Sequence, residues 1–231
     1  MKLIEPDLVL YGGAFDPPHN GHVSCVEQVL ETSALTQILI MPGFVPAGAK
    51  GLHKHPEASY EQRLEMSNLA FSFSSRISVS DIEATLPTPN YTYRTLSKLR
   101  SDFPDKRLGI LIGLDQFKVF NRWQSPKDIL EFADLFVVRR DSKESIVSIA
   151  DYIISNLGLG VVWDEAYSWA KITGTESFLR VLQGATSPAA SSEIRFRVQH
   201  DSEVPEAWID SGVRRYIKEN KLYMNMEKSG G

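Results

Sequence analysis

A single cysteine, Cys25, in 231 residues excludes an internal disulfide and any zinc site built from cysteine thiolates. That scarcity fits a reducing compartment, and a cytoplasmic location is expected. Long apolar runs are missing as well. None approaches membrane-spanning length, and the opening Met1-Lys2-Leu3-Ile4-Glu5-Pro6-Asp7 has no apolar core of the signal-peptide kind. No membrane partner is expected. Positive charge is also in short supply: 25 Lys and Arg against 29 Asp and Glu leave a formal net charge of −4. This argues against a broad basic face for nucleic acid while allowing a local pocket for a small anion. No glycine-rich stretch ends in Gly-Lys-Ser or Gly-Lys-Thr, which disfavours phosphate chemistry of the Walker type. Only five histidines are present. His53, His55 and His200 share no ligand spacing with His19, His22 and Asp16, so a protein-bound zinc ion is disfavoured too.

What is present is a hydrophobic content of 42%, enough for a proper core at this length. Short runs rich in Val, Ile and Leu fall at residues 8–11, 37–41, 77–79, 107–112 and 135–138, with a further candidate at 160–162. Longer stretches with helical spacing of apolar residues separate them, at 21–31, 60–71 and 93–101, and a last helix is expected over about 205–220. Alternation of this kind is the mark of parallel strands covered by helices. The expected fold class is α/β: a Rossmann-like open parallel sheet with helices on both faces and a small helical C-terminal part. One domain is expected over 1–225, with 226–231 a flexible tail. Residues 42–56 and 184–190 read as functional loops.

The most informative segment follows the first run: Gly12-Gly13-Ala14-Phe15-Asp16-Pro17-Pro18-His19-Asn20-Gly21-His22. Paired glycines at the carboxyl end of a first strand let the backbone pass close to a ligand, where open α/β sheets bind nucleotides. His19 and His22 are three apart, so a helix starting near His19 projects both rings from its first turn. The free N–H groups of that turn favour an anion. The competing reading is a proline-rich turn with two solvent-facing histidines.

Residues 12–22 resemble the HxGH nucleotidyltransferases, and the order of the remaining motifs closely resembles bacterial nicotinate-nucleotide adenylyltransferases. Met41-Pro42-Gly43-Phe44-Val45-Pro46 followed by His53-Lys54 and Arg63 is similar to that family's substrate loop and the helix after it. Tyr91-Thr92-Tyr93-Arg94-Thr95-Leu96 is similar to its Tyr-Thr-x-Asp-Thr-Leu segment. Ile112-Gly113-Leu114-Asp115, with Phe120 and Trp123 downstream, is similar to its Ile-Gly-x-Asp block. Val138-Arg139-Arg140, Ser191-Ser192-Glu193-Ile194-Arg195 and residues 213–223 complete the order. The chain departs from the pattern at Arg94, where the family has an acid, and at Ala189 and Ala190, which replace Ile and Ser. The loop at 46–53 and the stretch at 141–183 are also longer.

The resemblance implies transfer of the adenylyl group of ATP to nicotinate mononucleotide, with Mg²⁺ entering as the counter-ion of ATP. Nicotinamide mononucleotide or phosphopantetheine is the alternative acceptor, and a nucleotide-binding regulator without turnover is the alternative class. His19, His22 and Arg195 are the expected catalytic residues. Gly12, Gly13, Phe15, Gly113, Asp115, Ser191 and Ser192 join them in holding ATP, the two serines as helix cap and hydroxyl donors. Ala14, Lys54, Thr92, Thr95 and Trp123 are expected at the mononucleotide. An indole offers a flat apolar face to a pyridine ring, which makes Trp123 the best candidate for that stack; the competing reading packs it in the core with Phe117 and Phe120. Arg94 either turns inward toward the acceptor or lies in solvent. The sequence leaves homo-oligomerisation open.

Overall fold

The computed structural model describes residues 3–45, 56–139, 145–183 and 187–225. In chain order the elements are β1 (Leu8–Gly13), α1 (Asn20–Thr32), β2 (Gln37–Pro42), α2 (Tyr60–Ala70), β3 (Ile77–Val79), α3 (Thr92–Asp102) and β4 (Leu108–Gly113). They continue with α4 (Leu114–Phe117), α5 (Pro126–Phe132), β5 (Ala133–Arg139), α6 (Ile146–Leu157), β6 (Val161–Trp163), β7 (Ala170–Ile172), β8 (Phe178–Gln183), α7 (Ser191–Gln199) and α8 (Ser211–Glu219). All eight strands form one sheet in the order β3-β2-β1-β4-β5-β8-β7-β6. The first six in that order run parallel, and β7 and β6 are added antiparallel at the β8 edge. The fold is thus the expected α/β arrangement, mostly rather than wholly parallel.

Side chains along the central strands alternate between two cores, as a strand buried on both faces requires. Val9, Tyr11, Leu111, Phe136 and Val138 belong to one cluster, which also holds Val26 and Val29 of α1, Met66 of α2, Ile194 of α7 and Val213 of α8. Leu8, Leu10, Ile110, Leu135 and Val137 belong to the other, with Leu96 and Leu99 of α3, Ile129 of α5 and Ile153 of α6.

The sheet opens at one place. β1 pairs with β2 as far as Gly13 and Pro42, and β4 with β5 as far as Gly113 and Val138. Pairing between β1 and β4 ends at Leu10 and Ile110, three residues before either strand does. The chain winds outward in opposite directions from these two strands, so the split lies at the topological switch point, where open α/β sheets take their ligands.

Four elements differ from the sequence expectation in ways that matter for the sheet and the C-terminal part. The helix expected over 205–220 is broken: a 3₁₀ turn spans Glu206–Trp208, Ile209 is extended, and Asp210 starts α8 afresh by accepting hydrogen bonds from the N–H groups of Gly212 and Val213. β7 and β8 carried no sequence expectation, and β6 begins one residue later than expected. The expected tail at 226–231 lies outside the described residues.

Candidate active site

The loop leaving β1 is built around an aromatic plug. Phe15 has a positive φ of 48° and is only 1% exposed. That left-handed backbone is uncommon without glycine and persists where packing fixes it. Here the ring makes edge contacts with Tyr11, His22 and Phe71. It also lies beneath Gly13, where a Cβ would fall 2.9 Å from the ring. Phe15, expected at ATP, is therefore a buried support of the loop. Gly12 is exposed, and a Cβ there would meet nothing within 4 Å, leaving open space above the strand end.

His19 is the N-cap of α1. Its Nδ1 accepts from the N–H of Gly21 at 3.1 Å, and Nδ1 of His22 accepts in return from the N–H of His19 at 3.2 Å. The rings stack with centroids 3.7 Å apart. Because each Nδ1 is an acceptor, each neutral imidazole carries its proton on Nε2, making Nε2–H the ring donor. Two histidines thus replace the usual Ser and Glu of a reciprocal helix cap. They do so at the first turn of a helix, where N–H groups and dipole favour an anion.

Asp16, the acid considered with the histidines for zinc, is 3% exposed and committed elsewhere. Its carboxylate accepts from the N–H groups of Glu57 (2.8 Å) and Ala58 (3.0 Å) and from the hydroxyl of Tyr223 (2.8 Å). Burial, and after it the Asp16 charge, raises the Tyr223 phenol well above its usual range, so it stays a donor. Among the described residues no three His, Cys, Asp or Glu side chains gather as a metal site.

α7 closes the site from the other end of the chain. The hydroxyl of Ser191 donates to the carbonyl of Pro17 at 2.9 Å. Nη1 of Arg195 donates to the carbonyl of Asp16 at 2.8 Å, and its Nε donates to Glu57 at 2.7 Å. The N-cap of α7 is Ala190, with no side-chain cap, so Ser191 and Ser192 are not caps but the first two helical residues. Ser191 ties the helix to the loop, and Ser192 is exposed at the helix start.

The second half of the crevice is held by buried polar groups. Arg63, 2% exposed, donates to the carbonyls of Ala14 and Gly43, both at 2.8 Å, bolting the loop after β1 to that after β2. Burial pushes its pKa down, and the Asp16 charge opposes that. Glu83 accepts from the hydroxyl of Thr95 (3.0 Å) and the N–H of Phe44 (3.3 Å). Burial raises its carboxyl above the usual range against those two hydrogen bonds. Asn90 brackets Val45, accepting from its N–H at 2.8 Å and donating its own N–H to the Val45 carbonyl at 3.0 Å. Thr95 is fully buried, with its hydroxyl committed to Glu83, so it fixes Phe44 instead of presenting itself to a ligand. Thr92 is partly exposed at the start of α3.

Gly113 and Asp115 mark the end of β4, where Asp115 is exposed and accepts from the side-chain amide of Gln116. Phe117 and Phe120 are core residues; Trp123 is half-buried, with its ring 5.2 Å from Phe120. Arg94 does not turn inward: it is exposed, donates to the carbonyl of Pro87 and lies over the Tyr91 ring. Lys54, with its loop neighbour His53, lies outside the described residues. Sequence reading singled out neither Glu57 nor Glu83, and took Tyr223 only as the end of a motif block. Their partners are brought to them by the fold.

A family model described as cytidylyltransferase-like matches residues 10–196. Among curated relatives, a probable nicotinate-nucleotide adenylyltransferase of Rhodopirellula baltica is 33% identical over 193 residues, covering 83% of this chain and 86% of that one. A protein of the same description from Idiomarina loihiensis is 28% identical over 217 residues, covering 93% and 98%. Among solved structures, Plasmodium falciparum nicotinic acid mononucleotide adenylyltransferase complexed with NaAD superposes with a TM-score of 0.66 at 17% identity, covering 94% of this chain and 96% of that one. At that identity the likeness speaks for the fold alone.

Proposed function

The chain belongs to the cytidylyltransferase-like family and, within it, to the nicotinate-nucleotide adenylyltransferases, and from that premise we propose that it transfers the adenylyl group of ATP to nicotinate mononucleotide. An oxygen of the mononucleotide phosphate attacks the α-phosphorus of ATP, the bond to the β-phosphate bridging oxygen breaks, and pyrophosphate leaves with nicotinate adenine dinucleotide as the other product. The nucleophile is already anionic at neutral pH, so neither a base nor a covalent enzyme intermediate is needed. Alignment and charge neutralisation are the work of the protein.

The observation that carries this reading is the reciprocal histidine cap, which turns the Nε2–H groups of His19 and His22 into fixed donors at the split between β1 and β4. Donors held before the reaction stabilise charge that develops on the departing pyrophosphate without reorganising. Arg195 supplies a guanidinium from α7, and the exposed backbone of Gly12 admits the nucleotide closely. Asp115, the exposed carboxylate at the end of β4, would face Mg²⁺ arriving with ATP, and the ion when bound would neutralise triphosphate charge. On the acceptor side, Trp123 stacks on the pyridine, while Lys54 and the start of α3 at Thr92 meet the anionic groups of the mononucleotide. The same reading makes this a cytoplasmic enzyme.

The test is pyrophosphate release with ATP and Mg²⁺ and, in parallel, nicotinate mononucleotide, nicotinamide mononucleotide or phosphopantetheine. Release is expected with the largest kcat/KM for nicotinate mononucleotide. A larger value with another acceptor would overturn the substrate assignment, and silence with all three would overturn the reaction.

A further inference from the structure

Arg195 has a tenant on each edge of its fork. Nε, on the side-on edge it shares with Nη2, donates to Glu57 at 2.7 Å. Nη1, on the end-on edge, donates to the carbonyl of Asp16 at 2.8 Å and lies 3.6 Å from that residue's carboxylate. A guanidinium grips phosphate best through two parallel N–H groups of one edge. A phosphate that takes either edge in this way must evict what is there.

The two tenants are unequal. The side chain of Asp16 is 4% exposed, and its carboxylate is locked by Tyr223 and by the N–H groups of Glu57 and Ala58. Its carbonyl belongs to the loop that carries the histidines and cannot withdraw to water without moving them. The side chain of Glu57 is 56% exposed, and its carboxylate has no second partner among the described residues. Swung away, it is solvated at once, while its backbone N–H keeps holding Asp16.

Resting on the adenylyl-transfer reading, we propose that Glu57 is an internal anion that occupies the phosphate-binding edge of Arg195 in the free enzyme and is displaced by the triphosphate of ATP. Glu57 and phosphate compete for one cation. The carboxylate therefore keeps Arg195 oriented and neutralised between turnovers, and on its return it helps expel pyrophosphate. It is a positioning residue: it touches Arg195 and neither substrate.

The consequence is that removing the charge tightens phosphate binding. Titration calorimetry with ATP and separately with pyrophosphate, on the wild-type chain and on Glu57→Gln and Glu57→Ala, reads it directly. Both ligands are expected to bind about fivefold tighter to each variant, the size of one half-exposed ion pair. KM for ATP should fall, and pyrophosphate should become a stronger product inhibitor. In an Arg195→Ala background the Glu57 substitutions should change nothing, because the competition has lost its object. Equal or weaker binding by both Glu57 variants would overturn the inference while leaving adenylyl transfer intact. A wild-type chain that binds neither ATP nor pyrophosphate would overturn the adenylyl-transfer reading, and this inference with it.

Discussion

Gly21→Ala separates catalytic geometry from stability. A Cβ at Gly21 would stand 2.9 Å from both Cε1 and Nδ1 of His19, where ordinary contact begins near 3.4 Å. The ring has little room to yield, being 2% exposed and stacked at 3.7 Å on His22. It must retreat by roughly 0.5–1 Å, and a misplacement of that size at a reacting centre can cost about 10²-fold in rate. In barrier height this is about 2.7 kcal/mol. The hydrogen bond from the N–H of Gly21 to His19 Nδ1 stretches with it, loosening the preference for the tautomer that donates through Nε2. On folding two effects oppose each other. Gly21 lies in the first turn of α1 without a positive φ, so alanine favours the helix by up to about 1 kcal/mol. Pushing the buried His19 ring aside costs about 1–3 kcal/mol. The expected outcome is a kcat for pyrophosphate release about a hundredfold lower in a chain that stays folded at the assay temperature, with a calorimetric Tm only modestly below that of the wild type. A kcat within threefold of wild type would refute the argument that His19 must sit where its cap holds it. So would a loss of rate that merely tracks a loss of folded protein.

Tyr223→Phe removes one of three donors from the buried Asp16 carboxylate and should lower stability by about 1–3 kcal/mol, seen as a lower urea midpoint with unchanged slope. Glu83 gives a pH signature. Its folded pKa is raised by burial, so its contribution to stability is full below the unfolded carboxyl pKa and is lost as pH rises through the folded one. In Glu83→Gln, unfolding free energies measured across the acid-to-neutral range should lack that decline, and an unchanged difference profile would exclude Glu83 as its source. Trp123→Ala should raise KM for nicotinate mononucleotide about tenfold through the lost stack, leaving KM for ATP near its wild-type value. Equal rises for both substrates would remove Trp123 from the pyridine site.

What the sequence disclosed was whatever sits in one segment. β3 lies at 77–79 as expected because a short apolar run bounded by polar residues has few other readings. The segment from Gly12 to His22 was legible because glycines, histidines and helix start adjoin. β7 was not, because Lys171 sits at the centre of its three residues, and Arg180 interrupts the apolar run of β8. The single helix expected over 205–220 overlooked Asp210 as a second cap. The bonds that shape the site were beyond sequence spacing altogether. Tyr223 meets Asp16 across 207 residues, and Arg195 meets Glu57 across 138. Thr95, read as a substrate contact from its motif, is turned into the core by Glu83, a partner no periodicity reveals.

The antiparallel pair β7 and β6 moves the free margin of the sheet two strands beyond β8, away from the split between β1 and β4. Its turn is stitched by Asp164, which accepts from the N–H groups of Ser168 and Trp169, while Tyr167 stands outside at 58% exposure. Growth at this border adds chain without displacing any strand that carries chemistry. The turn at 164–168 between β6 and β7 thus behaves as a selvedge: material can be grafted there, and the weave around the nucleotide keeps its pattern. Anyone seeking a point to attach a reporter to this enzyme would begin at Tyr167.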